Sequence, residues 1–258
     1  MRVLELPPAT TFPQARARAV REARGRVVAF VEEHAAALPG FAEALLGAHR
    51  GPYAGVGPAV VNGNPGVGTS DIAGLLAYGY FYPPCRRAEA EFLAGHNSSF
   101  KRDVLLGLGE DLDRLLRSDL VLHARLRRLG ERLLVEPAAV LAHRNEVTLR
   151  GRARGIFLWY RSYAVLRAAE GRWSPARRAA YVAGAPLVPL YFLARFTPFV
   201  ARHRRAHLAL LLRHLPYVMA SMLAGAAGQA LGLLLGPGDA EARFTRFELA
   251  EPRPLRRG

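Results

Sequence analysis

The sequence predicts an α/β protein, with a mixed sheet and flanking helices, followed by an all-α hydrophobic region. In the first half, short apolar runs alternate with helical patterns, as is typical of an α/β layer. Beyond residue 146 the apolar runs become longer and helical in character. With 258 residues, 51% of them apolar, the chain is long enough and hydrophobic enough to bury a core.

The chain begins with a predicted order of strand, helix, strand, helix and strand. Pro13 and Gly25 bound the first helix, because proline favours a first turn and glycine the position after a helix. The second strand is apolar on both faces, which is typical of a parallel strand covered on two sides. The predicted strands cover residues 2–6, 27–31 and 53–61, and the helices cover residues 14–24 and 39–46.

Two helices and two strands complete the predicted α/β part. The glycine-rich residues 62–70 read as a loop, but they lack the lysine and the spacing of a phosphate-binding loop. Further along, the pattern predicts helices at residues 103–117 and 120–129 and strands at residues 132–135 and 139–142.

The remaining residues predict helices that associate with a membrane. Residues 147–169 carry aromatic side chains among arginines, which indicates a basic amphipathic helix. Residues 215–236 are uncharged and long enough to cross a bilayer, which takes about 20 residues. Gly225 and Gly228 in this segment favour close helix packing.

A second apolar stretch, at residues 179–194, contains prolines and is short for a span, so we expect a shallow hairpin or one span with interfacial helices. Two buried helices of a soluble domain are the alternative. The predicted organisation is an α/β domain at 1–146, the amphipathic helix at 147–175, a membrane-associated helical hairpin at 176–236 and a tail at 237–258.

Charge and cysteine content exclude several classes of protein. The formal net charge is +15, but the cations are arginines spread along the whole chain, with Lys101 the only lysine and no recognition module. We therefore expect no nucleic-acid partner. A single cysteine, Cys85, excludes an internal disulfide framework and a cysteine-rich metal site.

Five segments of the first half carry a resemblance to a known family. They are ARARAVREARGRVVAFVEEH from Ala15, PGFAEALL from Pro39, GHNSSFKRD at residues 95–103, SDLVLHARLRRLG at 118–130 and EPAAVLAH at 136–143. In this order, over about residues 1 to 150, the set resembles the family 2 glycosyltransferases. The resemblance implies a partial GT-A fold, which is Rossmann-like, over residues 1–146.

The resemblance also implies a reaction and a location. A sugar would pass from a nucleotide-sugar donor to an unidentified acceptor, such as a glycan, a lipid or another cell-envelope precursor. We expect the catalytic part on the cytoplasmic side of a membrane, the inner membrane of a bacterium. Such a transfer requires groups that hold the diphosphate, a base for the acceptor hydroxyl and a pocket that orients both.

Glu32 and His34 occupy the positions of the acidic metal motif in this resemblance, with Glu33 between them on the donor side. Carboxylates at a strand end suit a hard cation such as Mg²⁺ or Mn²⁺, and the histidine nitrogen favours Mn²⁺. A solvated strand end without a cation is the alternative.

Asp119 falls on the position of the general base, counted back from Arg125 in ARLRRLG. An ordinary first-turn aspartate, stabilised by the helix dipole, is the alternative. Arg125 is a candidate contact for the diphosphate, and His143, after an apolar strand, is a candidate ligand of the diphosphate or the metal. A surface arginine and a structural strand-end histidine are the alternatives.

His96 and Asn97 are candidates for the acceptor pocket, where the amide would bond to hydroxyl groups. A capped turn before the next helix is the alternative for both. Glu110 and Asp111 are expected at an acceptor-side loop or a solvated helix start.

Members of the family carry two further strand–helix repeats before the first matched segment, about 60 to 80 residues by the usual size of such repeats. We expect either that these residues lie upstream of Met1 or that the chain is a shortened relative. In the second case the alternative function is that of a catalytically inactive, membrane-bound interaction protein.

Overall fold

The computed structural model describes residues 3–250 and has an α/β architecture with a curled mixed sheet, as predicted. Short 3₁₀ turns lie at Gly95–Asn97, Ala185–Leu187 and Arg205–His207. The helices are α1 (Phe12–Glu22), α2 (Phe41–Ala48), α3 (Ser70–Tyr78), α4 (Arg102–Leu106), α5 (Asp111–Leu115), α6 (Asp119–Arg128), α7 (Leu149–Glu170), α8 (Pro175–Ala183), α9 (Val188–His203), α10 (Leu208–Arg213), α11 (Leu215–Leu235) and α12 (Ala240–Ala250).

Six strands form one sheet in the order β1-β5-β3-β6-β2, with β4 also paired to β6. Strands β3 and β6 run parallel, and every other pair is antiparallel. The strands are β1 (Val27–Ala29), β2 (Ala35–Ala37), β3 (Tyr53–Asn62), β4 (Ala88–Glu89), β5 (Ser99–Lys101) and β6 (Arg132–His143).

The central strand β3 agrees with the prediction for residues 53–61 and is buried over most of its length. Its glycines allow side chains of neighbouring segments to lie directly against the strand backbone. A Cβ atom at Gly55 would lie 2.8 Å from Leu133, and one at Gly57 would lie 2.9 Å from Leu93. The strand therefore accepts side chains from its neighbours where it carries none of its own.

Strand β6 joins the two strands predicted at residues 132–135 and 139–142. The register with β3 passes from Pro58 opposite Glu136 to Ala59 opposite Val140, so that residues 137–139 bulge out of the ladder. Pro137 explains this bulge, because proline has no N–H to donate to the ladder. The Glu136 carboxylate accepts a hydrogen bond of 3.2 Å from the backbone N–H of Ala138.

Strand β1 differs from the prediction of a parallel strand buried on both faces. It lies antiparallel to β5 at one end of the described sheet, where only Val28 of its three residues is buried and Val31 beyond it is exposed. A short apolar run can form either an edge strand or a central strand, so the sequence does not distinguish the two positions. Strand β2 was not predicted, since its three alanines have little strand preference.

Other predicted elements are shorter or absent. The helix predicted at residues 103–117 is divided into α4 and α5, because Gly109 between them has φ of 59°. The strand predicted at 2–6 is not formed by residues 3–6, which lie before Pro7 and Pro8, while Arg2 lies outside the described residues. Helix α12 lies in the part that was predicted to be a tail.

The chain divides into two compact units. The first comprises Met1–Gly63 and Tyr80–His143 and contains the sheet. The second comprises Asn64–Gly79 and Arg144–Gly258 and contains α3 and α7–α12. All the candidate site residues belong to the first unit.

In the second unit, α7 and α11 pack backbone against backbone. A Cβ atom at Gly228 would lie 2.2 Å from the carbonyl oxygen of Phe157, and one at Gly232 would lie 2.3 Å from that of Arg161. At Gly225 the added atom would lie 3.0 Å from the Tyr160 ring. The predicted close packing at Gly225 and Gly228 is confirmed.

Among residues 3–250, one helix is long and apolar enough to cross a membrane, the 21-residue α11. The segments Pro175–Ala183 and Ala185–His203, bent by 48°, pass the same test only when taken together. A buried core helix of a soluble protein has the same length and composition, and 44% of the most apolar window of α11 is buried.

Replacement of Gly228 by alanine should force α7 and α11 apart. We expect Gly228→Ala to lower the free energy of unfolding by about 1–3 kcal/mol, as overpacked cores do. Gly47→Ala is the matched control, because a Cβ atom at this helical glycine would contact nothing within 4 Å. Thermal unfolding of both variants in one detergent measures the difference, and an unchanged midpoint for Gly228→Ala would contradict the close packing.

Candidate functional site

The first part of the site lies where β3 and β6 end. His143 is the last residue of β6 and pairs with Asn62 at the end of β3. Glu32 and His34 lie in the loop between β1 and β2, and Ala35 of β2 pairs with His143. The loop therefore brings its carboxylate and imidazole to the end of β6, 109 residues further along the chain from His34.

Three side-chain atoms converge there, and we call Glu32, His34 and His143 the cation cluster. The Nε2 atoms of the two histidines are 3.0 Å apart. The Oε2 atom of Glu32 lies 3.2 Å from Nε2 of His143 and 3.7 Å from Nε2 of His34. Both histidines are buried. These three residues form a group that could hold a metal ion.

The spacing of these atoms fits a divalent cation. Ligands about 2.0–2.2 Å from a metal are separated by about 3.0–3.6 Å in octahedral or tetrahedral arrangements, close to the separations in the cluster. Two imidazoles and one carboxylate suit Mn²⁺, Fe²⁺ or Zn²⁺ better than Mg²⁺, which prefers oxygen ligands. His143 was predicted on the donor side, and the structure brings it to the two residues predicted as metal ligands.

Glu33 lies beside the cluster and contacts it through His34. Its Oε1 atom is 3.1 Å from Nδ1 of His34, while more than half of the Glu33 side chain is exposed. The hydrogen bond with His34 lowers the pKa of Glu33. As a carboxylate can only accept, Nδ1 of His34 carries the proton and Nε2 is left with a lone pair towards His143 and Glu32.

Asn97 holds Glu32 in place through two hydrogen bonds. The Asn97 side-chain amide donates to Oε2 of Glu32 at 2.6 Å, and the Glu32 backbone N–H donates to Oδ1 of Asn97 at 3.0 Å. Burial raises the pKa of Glu32, but the hydrogen bond with His143 and the charges of nearby imidazoles outweigh it and hold the pKa well below its usual range. Asn97 is fully buried, so its bonds are shielded from water.

A second pair, Asp119 and His96, forms the other part of the site. Asp119 is the first residue of α6, and its Oδ2 atom lies 2.7 Å from Nδ1 of His96. Arg16 of α1 contacts the same nitrogen of His96. Burial raises the pKa of Asp119, but His96, Arg16 and His123 outweigh it, so that the net pKa is lowered and the carboxylate stays charged.

The turn Gly95–Asn97 joins the two parts. His96 contacts Asp119, and the next residue, Asn97, contacts Glu32. Both residues were predicted as acceptor-site residues, and both face a predicted carboxylate. The cation cluster and the Asp119–His96 pair therefore belong to one continuous site in the first unit.

Arg125 is not brought to this site. It lies six residues after Asp119, about 9 Å along the helix axis and on another side of it. Its ion pair is with Asp111, at 3.8 Å. Asp111 also pairs with Arg114 at 2.8 Å, which agrees with a solvated helix start. Arg16, which does reach the site, was not predicted, because nothing in the sequence distinguishes it from the many other arginines.

His123 is a second buried histidine near Asp119. Its Nδ1 accepts a hydrogen bond of 3.4 Å from the backbone N–H of Leu93, and its ring stacks on Phe100 at 5.8 Å. Burial lowers the pKa of His123 from 6.5 to about 4, although Asp119 opposes the shift. The imidazole is therefore neutral at physiological pH.

None of the family models, curated proteins or solved structures compared with this chain matches it.

Substitution of His123 should change how stability depends on pH. The folded-state pKa of about 4 lies below the unfolded value near 6.5, so the unfolded chain binds the proton first as the pH falls. The contribution of neutral His123 to the free energy of unfolding is fully present above pH 6.5. It is lost as the pH falls towards 4, and the shift corresponds to about 3 kcal/mol. We expect His123→Gln to lack this loss in unfolding experiments between pH 7 and pH 4.5.

Leu126→Ala is the control for that measurement. Leu126 is buried on the same helix and does not titrate, so the variant should be less stable by a similar amount at every pH. The carboxylates with lowered pKa values, among them Glu32 and Asp119, act below about pH 4.5, outside this window. Burial also lowers the pKa of His49 to about 4, and this residue contributes the same loss to wild type and variant. Equal pH slopes for wild type and His123→Gln would show that His123 is not the group responsible.

Proposed function

We propose that the chain is a metal-dependent glycosyltransferase of the GT-A type, which uses a nucleotide-sugar donor. One observation carries the proposal: the cation cluster and the Asp119–His96 pair are joined through the turn Gly95–Asn97. A group that could hold a cation, next to an acid–base pair, has two chemical functions that a transfer from a diphosphate requires.

The cation cluster and the Asp119–His96 pair would have different chemical roles. A cation held by Glu32, His34 and His143 would neutralise charge on the leaving diphosphate. Glu33 would fix the tautomer of His34, and Asn97 would fix the carboxylate of Glu32. The Asp119–His96 pair would take the proton from the acceptor hydroxyl, a contribution of typically 10²- to 10⁴-fold in rate. Mn²⁺ fits two imidazoles better than Mg²⁺ does.

The architecture supports the same reading. The parallel strands β3 and β6 both end at the cation cluster, and in α/β sheets ligands bind outside the carboxyl ends of the strands. The helix that begins with Asp119 follows directly from the Ser118 N-cap, so the carboxylate is held at a helix N-terminus.

The second unit supports action on an acceptor at a membrane. Helix α11 is long and apolar enough to cross a bilayer, and α7 carries arginines among aromatic residues. A membrane location would favour a lipid-linked or glycan acceptor, with the sheet and its nucleotide sugar on the cytoplasmic side.

Loss of a cluster histidine should weaken metal binding. We expect His143→Ala and His34→Ala each to reduce the affinity for Mn²⁺ by at least 100-fold, because one of three ligands is removed. Glu33→Gln should reduce it by about 10–100-fold, as loss of an orienting carboxylate does. Titration calorimetry of the full-length chain with Mn²⁺ measures each affinity.

Glu43→Gln is the matched control, since Glu43 is an exposed carboxylate on α2, outside the cluster. Its affinity for Mn²⁺ should equal that of wild type. The cluster is not a metal site if wild type and His143→Ala bind Mn²⁺ equally weakly.

A screen of nucleotide-sugar donors tests the reaction itself. We expect release of nucleoside diphosphate from one donor in the presence of Mn²⁺ and detergent-solubilised lipid or glycan acceptors. His143→Ala and Asp119→Asn should lower the rate by at least 100-fold, the first through the cation and the second through the base pair.

Arg125→Gln serves as the control, since Arg125 pairs with Asp111 instead of the cluster, and its rate should stay within a few-fold of wild type. Mn²⁺ binding without binding of any nucleoside diphosphate would overturn the glycosyltransferase proposal. That result would instead favour a non-catalytic, membrane-bound interaction protein.

A further inference from the structure

The Asp119–His96 pair has two candidate proton acceptors, and their surroundings differ. The side chain of Asp119 is 8% exposed, whereas that of His96 is 21% exposed. The Asp119 carboxylate is compensated by His96 and by the charge of Arg16, and its pKa is lowered. A carboxylate with a lowered pKa is a weak base, and a buried one is difficult for an acceptor hydroxyl to reach.

The position of the proton on His96 follows from its neighbours. A charged carboxylate can only accept hydrogen bonds, and within residues 3–250 the Asp119 carboxylate has one hydrogen-bond partner, Nδ1 of His96. Nδ1 must therefore carry the hydrogen, since a buried charge without a donor is unfavourable. In the neutral imidazole, Nε2 then has a lone pair and no hydrogen.

Arg16 does not alter this assignment. Its Nη1 contacts the same nitrogen, which can serve only one neighbour: with its hydrogen Nδ1 donates to Asp119, and without it Nδ1 accepts from the guanidinium. Asp119 is buried and has no other donor among the described residues, whereas Arg16 is half-buried and can donate to water, so the hydrogen is assigned to Nδ1. The positive charge of Arg16 adds to the stabilisation of the Asp119 carboxylate. Phe30 lies against the guanidinium at 5.6 Å and holds Arg16 beside the pair.

His96 also lies next to the cation cluster. It precedes Asn97 in the turn Gly95–Asn97, and Asn97 contacts Glu32. When its imidazole is protonated, His96 lies close enough to Glu32 for its charge to contribute to the lowered pKa of that carboxyl. Among the described residues, Nε2 of His96 makes no hydrogen bond or ion pair, and 21% of the side chain is exposed, so Nε2 is the nitrogen available to an acceptor hydroxyl.

We propose that His96 is the catalytic base of this site and that Asp119 is a positioning residue that fixes its tautomer. The inference rests on the proposed glycosyl transfer and names the atom that takes the proton. Nε2 of His96 accepts the proton of the acceptor hydroxyl as that oxygen bonds to the anomeric carbon. The bond between this carbon and the diphosphate oxygen breaks with its electron pair on the leaving group. Asp119 stabilises the imidazolium, which later releases the proton to water.

A measurement of the tautomer tests the inference without any substrate. In the full-length chain with ¹⁵N-labelled histidine, long-range ¹H–¹⁵N correlation should show His96 protonated at Nδ1 and bare at Nε2, with His96→Gln identifying the signals. Asp119→Asn should move the hydrogen to Nε2, because Arg16 or the new amide can then donate to Nδ1. A wild-type imidazole with its hydrogen on Nε2 would overturn the proposal.

Turnover of the donor tests the chemical role. We expect His96→Ala to lower kcat by about 10²- to 10⁴-fold with little change in the KM for the donor. Added imidazole should restore part of the activity of His96→Ala and none of that of Asp119→Asn. His203→Ala, at an exposed histidine of α9, should match wild type with and without imidazole.

The two readouts separate failure of the inference from failure of the proposed reaction. If Asp119→Asn is inactive while His96→Ala keeps kcat within 10-fold of wild type, Asp119 is itself the base and the inference is wrong. If wild type turns over no donor, the proposed glycosyl transfer is wrong. The tautomer measurement then still shows whether Nε2 of His96 lacks a hydrogen and could act as a base. Thermal unfolding of each variant identifies those that have lost the fold.

Discussion

The two hydrogen bonds between Asn97 and Glu32 are the contact on which the site depends. They tie the loop after β1 to the turn before β5, and the neighbouring His96 continues the connection to Asp119. Without them, contacts with the two histidines alone would hold the Glu32 carboxylate at the cluster. Because Asn97 is buried, each bond lies in a medium of low dielectric, where an amide left without its partner is costly.

Charge compensation explains why Glu32 and Asp119, both largely shielded from water, can stay charged. Glu32 is surrounded by imidazoles and Asp119 by His96, Arg16 and His123, so each negative charge has partners of its own. Either carboxylate alone in an apolar interior would take up a proton and lose the negative charge that its contacts require. The same partners lower both pKa values, which makes the carboxylates suited to hold cations and imidazole rings and less suited to take a proton themselves.

The sequence predicted those parts of the structure that depend on local pattern. Strand β3 and helix α11 follow from their apolar runs, and Glu32, His34 and His143 stand at strand ends where a cation site is chemically sensible. Strands β2 and β5 could not be predicted, because three alanines, or Ser99–Lys101, acquire strand geometry only from a neighbour. The roles of Arg16 and Asn97 likewise depend on contacts between residues 65 to 80 positions apart, which no local pattern encodes.

The bulge in β6 has a consequence for insertions and deletions. Side chains of a strand alternate between the two faces of a sheet, so an odd number of extra residues exchanges the faces of everything that follows. Residues 137–139 add three positions between Glu136 and Val140, and His143 lies beyond them. The face of the sheet that carries this imidazole therefore depends on whether the number of bulge residues is odd or even. Loss of one bulge residue would turn His143 to the opposite face, whereas loss of two would leave it facing Glu32.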